Sequence, residues 1–120
     1  MESFEEIEGA TLERFFISEA TYVDAGEKEE PQKVKGCSLV FDLGLFVIEN
    51  PYCIVGKNNK EIKMNELVGL RVKSAFSNKE EIRLNFEPGA YISVSMKDKD
   101  YIGPEAASYS PKRGEIIVFN

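Results

Sequence analysis

The 120 residues carry 21 acidic and 15 basic side chains, a net charge of −6, with 42% hydrophobic residues and eight phenylalanines. That is enough chain and apolar material for one core of ordinary domain size, about 100–150 residues, and it argues against pervasive disorder. The absence of histidine excludes the ordinary general base and a histidine-supported zinc site, and the acidic balance argues against nucleic acid as a ligand.

In chain order, Glu2 to Glu8 reads as an acidic lead-in holding a short turn or helix. Thr11 to Val23 places Leu12, Phe15, Phe16, Ile17, Tyr22 and Val23 at strand spacing; a helix competes over Leu12 to Glu19, but Thr21, Tyr22 and Val23 favour a strand. Asp24 to Lys35 is a surface loop, where glycine, proline and charges interrupt both periodicities. Strands are expected at Val34 to Phe41, Leu45 to Ile48 and Tyr52 to Val55, with Asn50 and Pro51 breaking the chain between the last two. Glu61 to Leu70 is the best place for a helical turn, capped by Asn65 and presenting Leu67, Val68 and Leu70. Arg71 to Phe76, Glu81 to Phe86 and Ala90 to Met96 follow as strands. The last two form a hairpin through Pro88 and Gly89, a pair suited to the corners of a type II turn. Strict alternation sends Ile82, Leu84, Phe86, Ile92, Val94 and Met96 inward and leaves Arg83 and Asn85 outside. Ile116 to Phe119 is a closing strand whose loss is expected to be damaging.

The chain also echoes itself. Ile7, Gly9, Leu12, Phe15 and Phe16 recur sixty positions later as Leu67, Gly69, Val72, Ala75 and Phe76. LVFDLG from Leu39 to Gly44 recurs as LNFEPG from Leu84 to Gly89, at an offset of forty-five. Convergent turn chemistry is the bland explanation; a two-copy architecture is the sharper one, and it assigns the extra length to the first copy around Asp24 to Lys35. The expected fold class is α+β: one compact β-rich binding domain over residues 1–120, with two related strand and hairpin halves and at most short helices.

Cys37 and Cys53, in the settings GCSLVF and PYCIV, read as reduced, partly buried thiols rather than a metal knuckle or redox pair. No spaced carboxylate cluster demands a metal, and no cofactor is implied. No apolar run approaches the roughly 20 residues needed to span a bilayer, and the acidic start is unlike a secretory signal. The expectation is a cytoplasmic chain without a membrane partner.

The segments LVGLRVKSAF, IRLNFEPGAYISV, DYIGPEAASY and GEIIVF, with IENPY at Ile48 to Tyr52, resemble a family of small uncharacterised bacterial domains found in some toxin and immunity neighbourhoods. The matching positions are Gly69, Glu87 to Gly89, Asp100 to Glu105 and Gly114 to Phe119. None is a catalytic signature. The resemblance implies a protein that inhibits a toxin stoichiometrically.

Charge supplies an independent hint. Residues 1–30 hold ten acidic and two basic side chains, a balance of −8, whereas residues 31–120 hold eleven acidic and thirteen basic, a balance of +2. Such asymmetry steers a basic partner, and it is equally what a solvated tail looks like. The expected function is therefore non-catalytic binding of a cationic protein toxin. The alternative is a structural or regulatory module that forms homo-oligomers through a sheet edge, and a carboxylate-based enzyme comes third. The residues expected to meet the partner are Glu27, Glu29 and Glu30 in the long loop, with Asp98, Asp100 and Glu105 as a second acidic patch beside Tyr101 and Tyr109.

Overall fold

The computed structural model describes residues 2–22, 32–101 and 103–120. Among the described residues ten strands build two antiparallel sheets. The strands are β1 (Glu2–Ser3), β2 (Leu12–Tyr22), β3 (Gln32–Phe41), β4 (Gly44–Ile48), β5 (Tyr52–Val55), β6 (Val72–Ser77), β7 (Glu81–Phe86), β8 (Tyr91–Ser95), β9 (Ala107–Pro111) and β10 (Ile117–Phe119). One sheet has the order β10-β9-β4-β3-β2 and the other β1-β6-β7-β8-β5.

The α+β expectation is corrected to an all-β fold. Among the described residues the helical content is confined to single 3₁₀ turns, at Glu5–Ile7, Lys57–Asn59, Met64–Leu67 and Asp98–Asp100. The turn expected at Glu61 to Leu70 shrinks to Met64–Leu67 because Gly69, at φ +91°, redirects the backbone and gives its amide to the Leu12 carbonyl. Its cap is Lys63 rather than Asn65, and the Lys63 amide donates to the Glu66 carboxylate at 2.8 Å. Gly89 does not take the positive φ that a type II corner needs, so the β7–β8 turn is of another kind.

The echoes in the sequence mark equivalent places in the two sheets. Glu5–Ile7 and Met64–Leu67 are 3₁₀ turns, each followed by a glycine at positive φ, Gly9 at +85° and Gly69 at +91°. Strands β2 and β6 then start alike, with register shifts between Leu12 and Arg14 and between Val72 and Ser74. Strands β2-β3-β4 correspond to β6-β7-β8. The first hairpin is longer, β2 and β3 running 11 and 10 residues against 6 and 6 for β6 and β7. That longer hairpin takes up the difference between the two offsets.

The fourth strand of each set is exchanged. Strand β5 follows β4 in the chain but pairs with β8, and β9 follows β8 but pairs with β4. Asn50 sits at the first crossing, where its side-chain amide donates to the Ser95 carbonyl at 2.8 Å and its backbone amide to the Ala106 carbonyl at 3.1 Å.

The inner faces meet in one core. Leu39, Phe46 and Tyr109 form a row across the first sheet, and Ala75, Leu84 and Ile92 a row across the second. Ile82, Leu84, Phe86, Ile92 and Val94 are buried as the alternation requires; Met96, at the end of that series, is only partly covered. Thr11 bridges Arg71 and ties the two sheets along one margin.

Candidate partner-binding surface

The two outer faces differ in chemistry. Outside the second sheet, a polar network spans three strands: Arg83 Nε donates to Glu81 at 2.7 Å, the Ser93 hydroxyl donates to the same carboxylate at 3.1 Å, and Asn85 donates to the Ser74 hydroxyl at 3.2 Å. The Arg83 guanidinium lies 4.2 Å from the centre of the Tyr91 ring and 5.8 Å from that of Phe76. An arginine held between a carboxylate and two rings is positioned before any partner arrives. Arg83 and Asn85 thus face outward as alternation requires, but as members of a network.

A shallow groove of about 1240 Å³ borders this face, lined in part by Lys79, Glu80, Lys97, Asp98 and Tyr101. The second acidic patch of the sequence reading falls partly here. Asp98 and Tyr101 line the groove, the Tyr101 hydroxyl donates to the Met96 sulfur at 3.5 Å, and Asp100 accepts from the Ser95 hydroxyl on the adjoining surface. Burial, and then the nearby Asp98 carboxylate, raise the Tyr101 hydroxyl above its ordinary pKa. Glu105 lies by the β4–β5 crossing, next to Ala106, whose carbonyl accepts the Glu49 and Asn50 amides. Partial burial, and then the charge of Glu105, push the Glu49 carboxyl up.

Tyr109 is a correction. It is 0% exposed, in the middle of the first sheet's inner face, with its ring 5.3 Å from that of Phe4. Its hydroxyl lies over Gly44, where a methyl group would stand 2.8 Å from it. It belongs to the core and has no surface to offer a partner. Glu27, Glu29 and Glu30 lie outside the described residues.

The first sheet presents a feature that the sequence reading missed. Its outer face carries a cross-strand row of Phe16, Ser38, Val47, Ser108 and Val118, and Val40 and Leu45 lie alongside. Phe16, Leu45 and Val118 are all exposed, and Ile17 on the opposite face of β2 is exposed as well. The signal was present in the alternation: Val40, Leu45, Val47 and Val118 occupy positions where a wet face would carry charges.

Cys37 is buried and Cys53 exposed, both unbridged. Burial pushes the Cys37 thiol up, with the neighbouring Tyr52 hydroxyl acting the other way. Burial, and then Cys37, push Tyr52 from its ordinary 10.0 up to about 12. The folded chain therefore favours the neutral phenol. Its contribution to stability is complete below about pH 10, where the unfolded chain also keeps the proton, and is lost as the pH rises to about 12. Tyr52→Phe is expected to flatten that part of the alkaline stability profile, measured by urea unfolding at a series of pH values. An unchanged slope would place the titration elsewhere.

Among the described residues no three cysteine, aspartate or glutamate side chains come together as a metal-binding group, and no helix is long and apolar enough to cross a membrane. No protein-family model matches the chain, and no curated protein or solved structure matches it.

Proposed function

We infer that the chain is a binding module that engages another protein through its surface and, more specifically, an immunity-type protein that inhibits a bacterial toxin stoichiometrically by covering it. The observation that carries this reading is the set of exposed apolar side chains on the outer face of the first sheet, Phe16, Leu45 and Val118, with serines between them. Exposed apolar side chains beside charged segments fit the anatomy of a protein interface, an apolar centre with a polar rim. Here the row starts on β2, inside the segment of residues 1–30 that carries the balance of −8. That charge speeds encounter with a cationic toxin, and the apolar row would hold the complex once formed. The polar groove with Asp98 and Tyr101 offers a second contact area.

The test is co-expression with the product of a toxin reading frame adjacent to its gene. A one-to-one complex and loss of toxicity are expected; full toxicity at equal stoichiometry overturns the inhibitory reading. In the complex, reversing Glu27, Glu29 and Glu30 to lysine is expected to slow association about tenfold at low salt and to weaken its salt dependence. A rate unchanged by the reversals rejects that loop as the steering element and transfers the role to Asp98 and Asp100.

A further inference from the structure

The two halves of the chain meet as two copies of one subunit would. Where the sheets join, Thr11 bridges Arg71, and the backbone bonds around that bridge come in matched pairs. The Gly9 amide donates to the Val72 carbonyl at 2.9 Å, and the Gly69 amide to the Leu12 carbonyl at 2.7 Å. The Val72 amide donates to the Ala10 carbonyl at 2.8 Å, and the Leu12 amide to the Leu70 carbonyl at 3.0 Å. Equivalent residues here are sixty positions apart, so each bond turns into its mate when the halves are interchanged. The Asp42 amide likewise donates to the Thr11 carbonyl at 3.1 Å, and that of Glu87, at the offset of forty-five, to the Arg71 carbonyl at 2.9 Å.

Side chains follow the same rule. Phe4 and Met64 are both buried, as are Ile7 and Leu67, Leu12 and Val72, and Phe41 and Phe86, the last two stacked on each other. Contacts in which residue i of one unit meets j of the other, and j meets i, define an isologous interface, the kind that joins two copies about a two-fold axis. Exchange of β5 and β9 completes it, each half lending a strand to the sheet of the other. Convergent turn chemistry accounts for matched glycines within each half; it does not account for reciprocal bonds between the halves. One departure from the two-fold stands out. Glu2 and Ser3 pair with β6, whereas the stretch sixty positions on opens with Glu61 bridging Val55, and β2 is left at the margin of its sheet.

We propose that the chain is a dimer within one polypeptide. The part before the Lys57–Asn59 turn and the part after it recognise each other through an isologous interface centred on Thr11 and Arg71, and the peptide link between them is not needed to hold the fold. The partner that each half fits is a chain of its own pattern, whatever the whole protein binds outside itself. The axis also predicts where side chains can be exchanged. Arg71 lies beside Gly9, where a methyl group would stand 3.5 Å from its guanidinium; nothing lies within 4 Å of a methyl group on Gly69, the position that an arginine in place of Thr11 would face.

The experiment has two arms. In the first, the recognition site of a sequence-specific protease is inserted in the Lys57–Asn59 turn, whose residues are all exposed, and the full chain is cut in its folded state. Exposed loop tips tolerate such insertions. The two pieces are expected to elute together with the circular dichroism of the uncut chain. Their unfolding midpoint is expected to rise with protein concentration, as for a dimer, while that of the uncut chain stays fixed. After separation in urea, neither piece is expected to fold alone, and an equimolar mixture is expected to regain the native spectrum. A chain unfolded by the insertion itself, pieces that part without denaturant, or a piece that folds alone as a monomer overturns the proposal. The second arm tests the axis without an insertion, since complementary pieces do not by themselves require two-fold equivalence. Thr11→Arg combined with Arg71→Thr exchanges the bridging residues, and each enters surroundings like those it left. The exchange is expected to unfold at no lower urea concentration than Arg71→Thr alone; an earlier midpoint shows the two positions to be unlike and overturns the proposal.

Discussion

Truncating Phe86 to alanine is expected to lower the unfolding free energy by about 3–5 kcal/mol. The ring is 2% exposed at the end of β7 and lies parallel to that of Phe41, the last residue of β3, with centroids 6.3 Å apart and planes 16° apart. These two phenylalanines hold equivalent positions in the two sheets, so the pair is a contact between the halves rather than within one. A typical domain has about 5–15 kcal/mol in all, so the loss is a large share of the total. Urea denaturation of Phe86→Ala, Phe41→Ala and the double variant measures both the cost and the coupling. A curve for Phe86→Ala that coincides with the parent removes Phe86 from the core, and strictly additive losses would show that the two rings do not support one another.

Phe4→Ala is expected to cost a similar amount, about 3–5 kcal/mol, although the residue lies in an acidic run at the amino end. Its ring is 3% exposed and lies 5.0 Å from that of Phe119, 5.3 Å from Tyr109 and 6.1 Å from Phe46. It seals the end of the core where the first and last parts of the chain meet. If this segment were merely appended to a finished sandwich, thermal unfolding of Phe4→Ala would match the parent, and that result would reject the assignment.

Legibility in the sequence tracked how local the determining interactions are. The β7–β8 hairpin was readable because Leu84, Phe86, Ile92 and Val94 alternate with polar residues on both sides of a short turn, and each is buried. The paired glycines Gly9 and Gly69 were readable because a positive φ leaves few other choices. Phe4 was not singled out, and Ile7 only as the first member of the echo, since two apolar residues among glutamates carry no periodicity, and only contact with distant strands buries them. Strand β9 was missed for a related reason: Ala107, Ser108, Ser110 and Pro111 are poor strand formers, and pairing on both sides by β4 and β10 overrides that preference. The same misreading put Tyr109 on the surface. Of the surface itself, Asp98, Asp100 and Tyr101 could be found from charge and aromatic content, and the structure gathers them near one groove. The exposed edge at Phe16 and Ile17 could not, because strand order, which no local pattern encodes, decides whether an apolar strand is central or marginal.

The exchange of β5 and β9 between the sheets sets how the chain must acquire its shape. Gly44 has no partner on its β9 side until Pro111 has arrived, and Tyr52 none on β8 until Val94 has. Neither half holds the material for its own sheet, so an emerging amino-terminal half cannot mature while the remainder is still being made. Pairings between such remote stretches delay folding, toward the millisecond-to-second range usual for chains rich in non-local contacts. The same interlock makes unfolding concerted, because releasing β5 uncovers β8 in the second sheet, and releasing β9 uncovers β4 in the first and takes β10 with it.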